Sequence, residues 1–301
     1  MTGGEILEGG NVAAEVVRIG DTVRKPWTAA TPYVHAFLRH LEGVEAVPRA
    51  LGRDGQGRQI LAYAPGRLAD GMPPMTVAEL RRLGRIVRAI HDAAEDFVPP
   101  AGAVWDVAIP PDGAALVCHQ DLAPWNLVRD GDVWTFIDWD AAAPGTRIWD
   151  LAYAVQAFVP LVAGGDPAAD APRVRALVDG YGLDGAGRAA LPGKLLERTR
   201  AMVHLLQEGS RTGAMPWSRL WDEGHGVFWG GAAAYIGEHL GVWRSALEDR
   251  PGAFGDVRQV EGVAPGEVGV GGGEVADLVE QGGAFPGAQQ DDVAAGRDEV
   301  Q

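Results

Sequence analysis

The sequence predicts an α+β protein of two lobes, a small β-rich N-terminal lobe and a larger, mostly helical C-terminal lobe. Three observations carry this expectation. Short β-prone runs flank one helical stripe in the first 65 residues, apolar residues recur at helical spacing after Thr76, and the turn formers "PGRLADGMPP" separate the two regions. With 301 residues the chain is long enough for about two compact units of roughly 100 to 200 residues each.

The elements follow in order. "NVAAEVVRIGDTVRKPW" predicts short strands around Ile19-Gly20-Asp21, and "RQILAYAPG" is an apolar run closed by Pro65-Gly66. Between them, "TPYVHAFLRHLEGV" sets Val34, Phe37, Leu38 and Leu41 on one helical face. The small lobe is therefore expected to end near Tyr63, with its boundary at residues 1–65. Thr76 with Glu79 three residues on is a capping box, and Leu80, Leu83, Val87 and Ile90 form the apolar stripe of the helix it opens. "AALVC" and "VWTFID" are expected as short strands flanking a loop, with an Asp-Gly turn at Asp130-Gly131. Later helices are expected over about 149–161, 188–207 and 228–247, inside a helical lobe of 66–250. From residue 251 onward ten acidic residues face two basic ones, a net of −8, amid many glycines. Such a segment buries too little apolar surface to offset its ordering entropy, so a disordered acidic tail is expected, apart from a short helix over 275–280.

Composition excludes several classes of partner. The formal charge of −15 argues against nucleic acid or anionic membrane, since both require concentrated Lys and Arg. No stretch approaches the roughly 18 apolar residues of a membrane span. The start "MTGGEILEGG" lacks the basic and apolar regions of a secretory signal, and Cys118 alone cannot form an intrachain disulfide. A reducing, cytoplasmic setting is expected. Oligomeric state is not read from the sequence.

The chemistry concentrates in "HQDLAPWNLV". The chain has two asparagines, Asn11 and Asn126, and Asn126 stands five residues after Asp121, which follows His119 by two. Asp138 closes the apolar run "WTFID" twelve residues later. Phosphoryl transfer needs residues of these types: a carboxylate to orient a hydroxyl and accept its proton, and a carboxamide with a second carboxylate to hold Mg²⁺ on nucleotide phosphates. Hard Mg²⁺ prefers oxygen ligands, and the amide adds one without adding charge.

"VCHQDLAPWNLV", then "FIDWD", then "PGTRIWDLAYAV" resemble the aminoglycoside phosphotransferase family of small-molecule kinases, whose fold is protein-kinase-like. The resemblance covers about 8–247 and is most specific over 117–155. It implies Asp121 as catalytic base, Asn126 and Asp138 as metal ligands, His119 as a structural brace of the loop, and Asp150 as a buried acceptor for the loop backbone. It implies ATP or GTP and Mg²⁺ as cofactors and a small-molecule hydroxyl as acceptor. Asp140 is either a further carboxylate near the metal or a loop cap.

For the nucleotide, Gly9, Gly10 and Asn11 offer a tight turn whose amides face phosphates, or an ordinary hairpin turn. A cation is expected on the next strand, where Arg24 and Lys25 point to opposite faces; the family's basic residue two before a proline selects Arg24. Its usual partner is a helix glutamate, but Val34 and His35 stand in that place and Glu42 is too far along. The segment Ala62, Tyr63, Ala64 resembles the linker whose backbone groups bind the purine edge. For the acceptor, Glu208, Asp222, Glu223 and Glu238 interleave with Trp217, Trp221, Trp229 and Trp243, which suits a cationic amine or forms only a solvated face and core. The missing helix acid motivates a second expectation, a nucleotide-binding pseudo-enzyme. A protein kinase or regulatory module is disfavoured because "FIDWD" stands in place of Asp-Phe-Gly, and about twelve residues separate Asp138 from Asp150.

Overall fold

The computed structural model describes residues 4–7 and 16–248. Gly9, Gly10, Asn11 and the acidic segment 251–301 lie outside the described residues. An antiparallel sheet dominates the N-terminal region and helices the C-terminal region, an α+β architecture.

The sheet has the order β1 (Glu5–Leu7), β2 (Val16–Ile19), β3 (Thr22–Lys25), β5 (Gln59–Ala62), β4 (Ala50–Arg53). β2 and β3 turn tightly at Gly20, whose φ of +60° suits glycine. The chain then leaves the sheet for α1 (Thr31–His40), which has Pro32 in its first turn and buries Val34, His35, Phe37 and Leu38. It returns through β4, an edge strand with a register shift, and β5 pairs with β3 so that Gln59 lies opposite Lys25.

β6 (Arg67–Leu68) joins a three-stranded sheet with β8 (Leu127–Asp130) and β9 (Val133–Phe136). The β8–β9 loop is Gly131-Asp132, one residue later than expected, because Asp130 still pairs with Val133 and Gly131 takes the positive φ. β7 (Leu116–Cys118) pairs with β10 (Ala143–Gly145), bracketing the loop at Asp121.

α2 (Val77–Ala94) opens on the expected capping box, with Thr76 Oγ1 accepting from the Glu79 amide and Glu79 accepting from the Thr76 amide. It packs against α4 (Pro167–Tyr181), a helix that the sequence reading did not anticipate. Pro167 and Pro172 look like breakers there, but Asp166 caps the first turn and Gly182 ends the helix at φ +73°. Contact is at backbone distance: a Cβ on Gly84 would fall 2.1 Å from the Leu177 carbonyl, and one on Gly180 2.0 Å from the Arg81 carbonyl.

α3 (Arg147–Phe158) is buried from Trp149 onward and is capped by Thr146. α5 (Gly185–Thr212) extends the expected 188–207 helix at both ends, from the Asp184 cap to Gly213 at φ +72°. After α6 (Trp217–Asp222), the expected helix over 228–247 divides into α7 (His225–Glu238) and α8 (Leu240–Leu247). The division falls at His239, whose backbone N–H and ring Nδ1–H converge on the Tyr235 carbonyl.

The main core joins Phe37, Leu38 and Leu41 beyond the sheet to Leu80, Leu83, Val87 and Ile90 of α2 and to Leu151, Val155 and Phe158 of α3. Burial of these side chains supplies the main folding drive, at about 25 cal/mol per Å² of apolar area. A second cluster places Ala123, Tyr153, Leu206, Leu220 and Trp229 together beside the loop at Asp121. Among the described residues no helix is long and apolar enough to cross a membrane.

Candidate active site

The loop leaving β7 begins at Cys118, buried behind the Thr146 carbonyl, where desolvation pushes its thiol well up. Among the described residues, two non-glycine residues have positive φ, Gln120 at 70° and Asp138 at 59°. Such backbone persists only where the surroundings over-determine it.

At Gln120 the determinant is Asp150, fully buried on the first turn of α3. Its Oδ1 accepts from the Gln120 amide at 2.8 Å, and its Oδ2 from the His119 amide at 3.3 Å and His91 Nε2 at 3.1 Å. Burial works to raise the Asp150 carboxyl, but the hydrogen bond and charge of His91 and the Gln120 amide outweigh it and hold it below the ordinary carboxylate value. Cys118, His91 and Asp150 lie within 4.8 Å of one another, yet both carboxylate oxygens are engaged by these donors, so the cluster is a brace. From the other side Arg198 of α5 donates to the Gln120 carbonyl at 3.3 Å, with its guanidinium 4.3 Å from the Tyr153 ring.

His119 is buried against Phe136 and Trp139. Its Nδ1 accepts from the Asp121 amide at 3.2 Å, which leaves the proton on Nε2, donated to the Ile137 carbonyl at 3.0 Å. One imidazole thereby ties the residue after Gln120 to the residue before Asp138.

Asp121 accepts from the Asn126 side-chain amide at 2.7 Å, from the Trp125 indole at 3.4 Å, and from the Tyr153 hydroxyl. Burial first, then the Asp121 charge, push that hydroxyl well up. The Asn126 Nδ2 also donates to the Asp121 carbonyl at 3.0 Å, which orients the amide; among the described residues nothing donates to its Oδ1. The Asn126 carbonyl accepts from the Ile137 amide at 2.8 Å, so the two expected metal ligands are linked through one backbone bond.

On the last residue of β3, Lys25 Nζ lies 2.5 Å from both Asp138 Oδ1 and Asp140 Oδ2. The lysine side chain is 8% exposed, while the carboxylates are 36% and 41% exposed, so the pair lies at a surface that a ligand can reach. Burial lowers the ammonium's proton affinity, but the charges of Asp138 and Asp140 outweigh it and its pKa is raised. This corrects the selection of Arg24. The β3 pleat turns Arg24 to the other face, where it contacts Asp54 at 3.5 Å and Thr22 Oγ1 at 2.6 Å.

His35, where a helix acid was expected, donates from Nε2 to Gln59 Oε1 at 3.2 Å, and Gln59 Nε2 donates to Asp140 Oδ1 at 3.1 Å and to the Pro26 carbonyl at 3.2 Å. In the linker, the Ala62 and Tyr63 amides are engaged by the Arg49 and Asp21 carbonyls, both at 2.9 Å. The Ala64 amide makes no backbone hydrogen bond among the described residues. Gly66, at φ +127°, lets the chain pass the Arg129 carbonyl, which a Cβ there would meet at 2.4 Å.

On the acceptor side, Glu208 pairs with Arg211 and Glu223 with Arg219 on exposed helix faces, and Asp222 and Glu238 are exposed. Trp243 belongs to the main core. Trp125, Trp217 and Trp221 pack against the second cluster, which contains Tyr153 and Trp229.

Four residues of the site were not anticipated: His91, Gln59, Arg198 and Tyr153. Each carries a signal in the sequence, because each is polar at a position in the apolar phase of its element. His91 falls on the Leu80–Val87 stripe, Gln59 alternates with Leu61, and Arg198 follows Leu191 and Leu195 at helical spacing.

The model of the phosphotransferase enzyme family matches residues 102–192, which include Asp121, Asn126, Asp138 and Asp150. The chain is 31% identical over 211 residues to the trifolitoxin immunity protein of Rhizobium leguminosarum bv. trifolii, covering 64% of this chain and 79% of that protein. Among solved structures, a microcompartment-associated aminopropanol kinase matches with a TM-score of 0.57 at 16% identity, over 82% of this chain and 94% of that one. The amicoumacin kinase hAmiN, solved with AMP-PNP, Ca²⁺ and Ami, gives 0.56 at 15% identity over 79% and 88%. A choline/ethanolamine kinase family protein of Mesorhizobium loti gives 0.53 at 15% identity over 81% and 92%. The fold shared with these kinases is protein-kinase-like, and by its sequence relatives the chain belongs to the phosphotransferase enzyme family.

Proposed function

We propose that the protein transfers the γ-phosphate of ATP to a hydroxyl of a small molecule. The observation that carries this is the hydrogen-bonded unit of Asp121, Asn126 and Ile137, with Lys25 of β3 paired to Asp138.

Asp121 is the group that orients the acceptor hydroxyl and takes its proton. Asn126 Nδ2 and the Tyr153 hydroxyl fix its carboxylate, and Arg198 and Asp150 fix the backbone beneath it. The donor set suits a hard divalent ion: Asn126 directs its Nδ2 to Asp121, freeing Oδ1, and Asp138 is partly exposed. Asn126 and Asp138 would hold that ion, and Lys25 would contact the nucleotide phosphates. Bound Mg²⁺ neutralises charge on the transferring phosphate.

The acceptor face is aromatic. Trp125 donates to the base and Trp217 and Trp221 pack against the apolar cluster that holds Ala123 and Tyr153, while Glu208 and Glu223 are tied to arginines, so recognition of an amine rests on ring faces more than on those two carboxylates. The name of the Rhizobium relative, a trifolitoxin immunity protein, supports protection against a toxic compound as the setting.

ADP release is to be measured with Mg²⁺ and ATP against aminoglycosides, macrolides, amino alcohols and sugars, with Asp121→Ala as control. At least one acceptor is expected to give ADP release that the control lacks. Equal background for both proteins on every acceptor, with nucleotide still bound, identifies a pseudo-enzyme and sinks the proposal.

A further inference from the structure

We propose that Asp140 is the positioning partner of Lys25, replacing an acid on α1, and that Gln59 and His35 hold it in that role. The inference rests on the phosphotransferase reading and concerns how the same site places its lysine.

A cation that contacts phosphates must be held in place when the nucleotide arrives, or its side-chain entropy opposes binding. In this chain α1 carries no acidic residue. It carries His35, which is 1% exposed. Its ring reaches the lysine only through two further groups, Gln59 and Asp140, with contacts of 3.2, 3.1 and 2.5 Å in sequence. Gln59 is also 1% exposed and sits opposite Lys25 in the β3–β5 ladder, so the sheet fixes lysine and amide to the same rung.

The amide is used at both ends. Its Oε1 takes the His35 proton, which leaves Nε2 to donate to Asp140 and to the Pro26 carbonyl. The hydrogen-bond pattern therefore selects an uncharged donor at position 59 and an anion at position 140. An acid at position 35 would add a third carboxylate to a cluster that holds one lysine, and like charges at this range repel. Asp138 and Asp140 thus divide the work. Asp138, in its left-handed backbone, is free to leave the lysine for a metal, and Asp140, anchored by Gln59, keeps the ammonium aimed into the cleft.

The test is binding of a fluorescent ATP analogue with Mg²⁺ to full-length protein in the Asp121→Ala background, so that turnover does not enter. Asp140→Asn is expected to weaken binding about tenfold, the effect of one charge-assisted contact. Gln59→Leu is expected to weaken it by less, and the double variant to be no weaker than Asp140→Asn alone, because the amide acts through the carboxylate. In the active protein, Asp140→Asn is expected to raise the KM for ATP more than it lowers kcat, with a single cooperative thermal transition retained. Unchanged binding in a folded Asp140→Asn variant, or fully additive effects of the two substitutions, overturns this proposal and leaves phosphotransfer standing. Failure of the parent to bind nucleotide at all overturns the phosphotransferase reading, and this proposal with it.

Discussion

His91 Nε2 lies 3.1 Å from Asp150 Oδ2 with both side chains fully buried, so α2, the first helix of the C-terminal region, braces the loop that carries Asp121. Removing the carboxylate leaves the Gln120 and His119 amides and one imidazole N–H unpaired in the interior. Asp150→Ala is expected to destabilise the protein by about 3–5 kcal/mol, and Asp150→Asn, which keeps one acceptor, by about 1–3 kcal/mol. Urea unfolding measures both. The Asp150 carboxyl is held below its unfolded value of about 3.9, so its contribution is fully present above that pH and is lost as pH falls through the lower folded value. The stability gap between the unmodified protein and Asp150→Asn is expected to be flat from about pH 8 to about pH 5 and to shrink below about pH 4. A gap that widens on acidification contradicts the assignment.

Lys25 and Arg24 are adjacent cations with different fates. Lys25→Met is expected to abolish measurable nucleotide binding and to leave Asp138 and Asp140 facing each other. Arg24→Met removes a contact with Asp54 on the opposite face and is expected to leave nucleotide affinity unchanged. Isothermal titration of both variants decides between them; loss of binding in Arg24→Met alone would restore the choice suggested by the nearby proline.

Gly84 and Gly180 test the packing of α2 on α4. Helix propensity alone predicts that Ala at either position gains about 1 kcal/mol. The backbone approach predicts the opposite sign, a loss of about 2–3 kcal/mol, because the added Cβ meets the Leu177 or Arg81 carbonyl. Thermal melting of Gly84→Ala and Gly180→Ala reads the sign directly.

Asp121→Asn keeps the size of the side chain and removes the proton acceptor. With a responsive acceptor, kcat is expected to fall by about 10²–10⁴-fold while the melting temperature stays within a degree or so. A kcat within the range of the unmodified protein would remove Asp121 from the base role.

Much of this was legible in the sequence. The α+β division, the α2 capping box, the stripe from Leu80 to Ile90 and the cluster at Asp121, Asn126 and Asp138 follow from periodicity, caps and spacing, which are local properties of the chain. α4 was missed because Pro167 and Pro172 mimic breakers, whereas the first proline sits in the first turn and packing on α2 offsets the second. The helix over 228–247 hid its break because His239 competes for the Tyr235 carbonyl with its ring, a choice that apolar spacing does not record.

What the sequence by itself determined is therefore the α+β division, part of its elements and the residue types of the candidate site. Only the tertiary structure decided which neighbour of a pair faces the cleft and what stands behind each group. Lys25 rather than Arg24 turns inward because the β3–β5 register sets the pleat, and that register depends on residues some 35 positions apart. His91, Gln59 and Arg198 reach the loop residues and Asp140 from α2, β5 and α5 because burial leaves a polar group no water to bond, so its partner must come from another element that folding brings near.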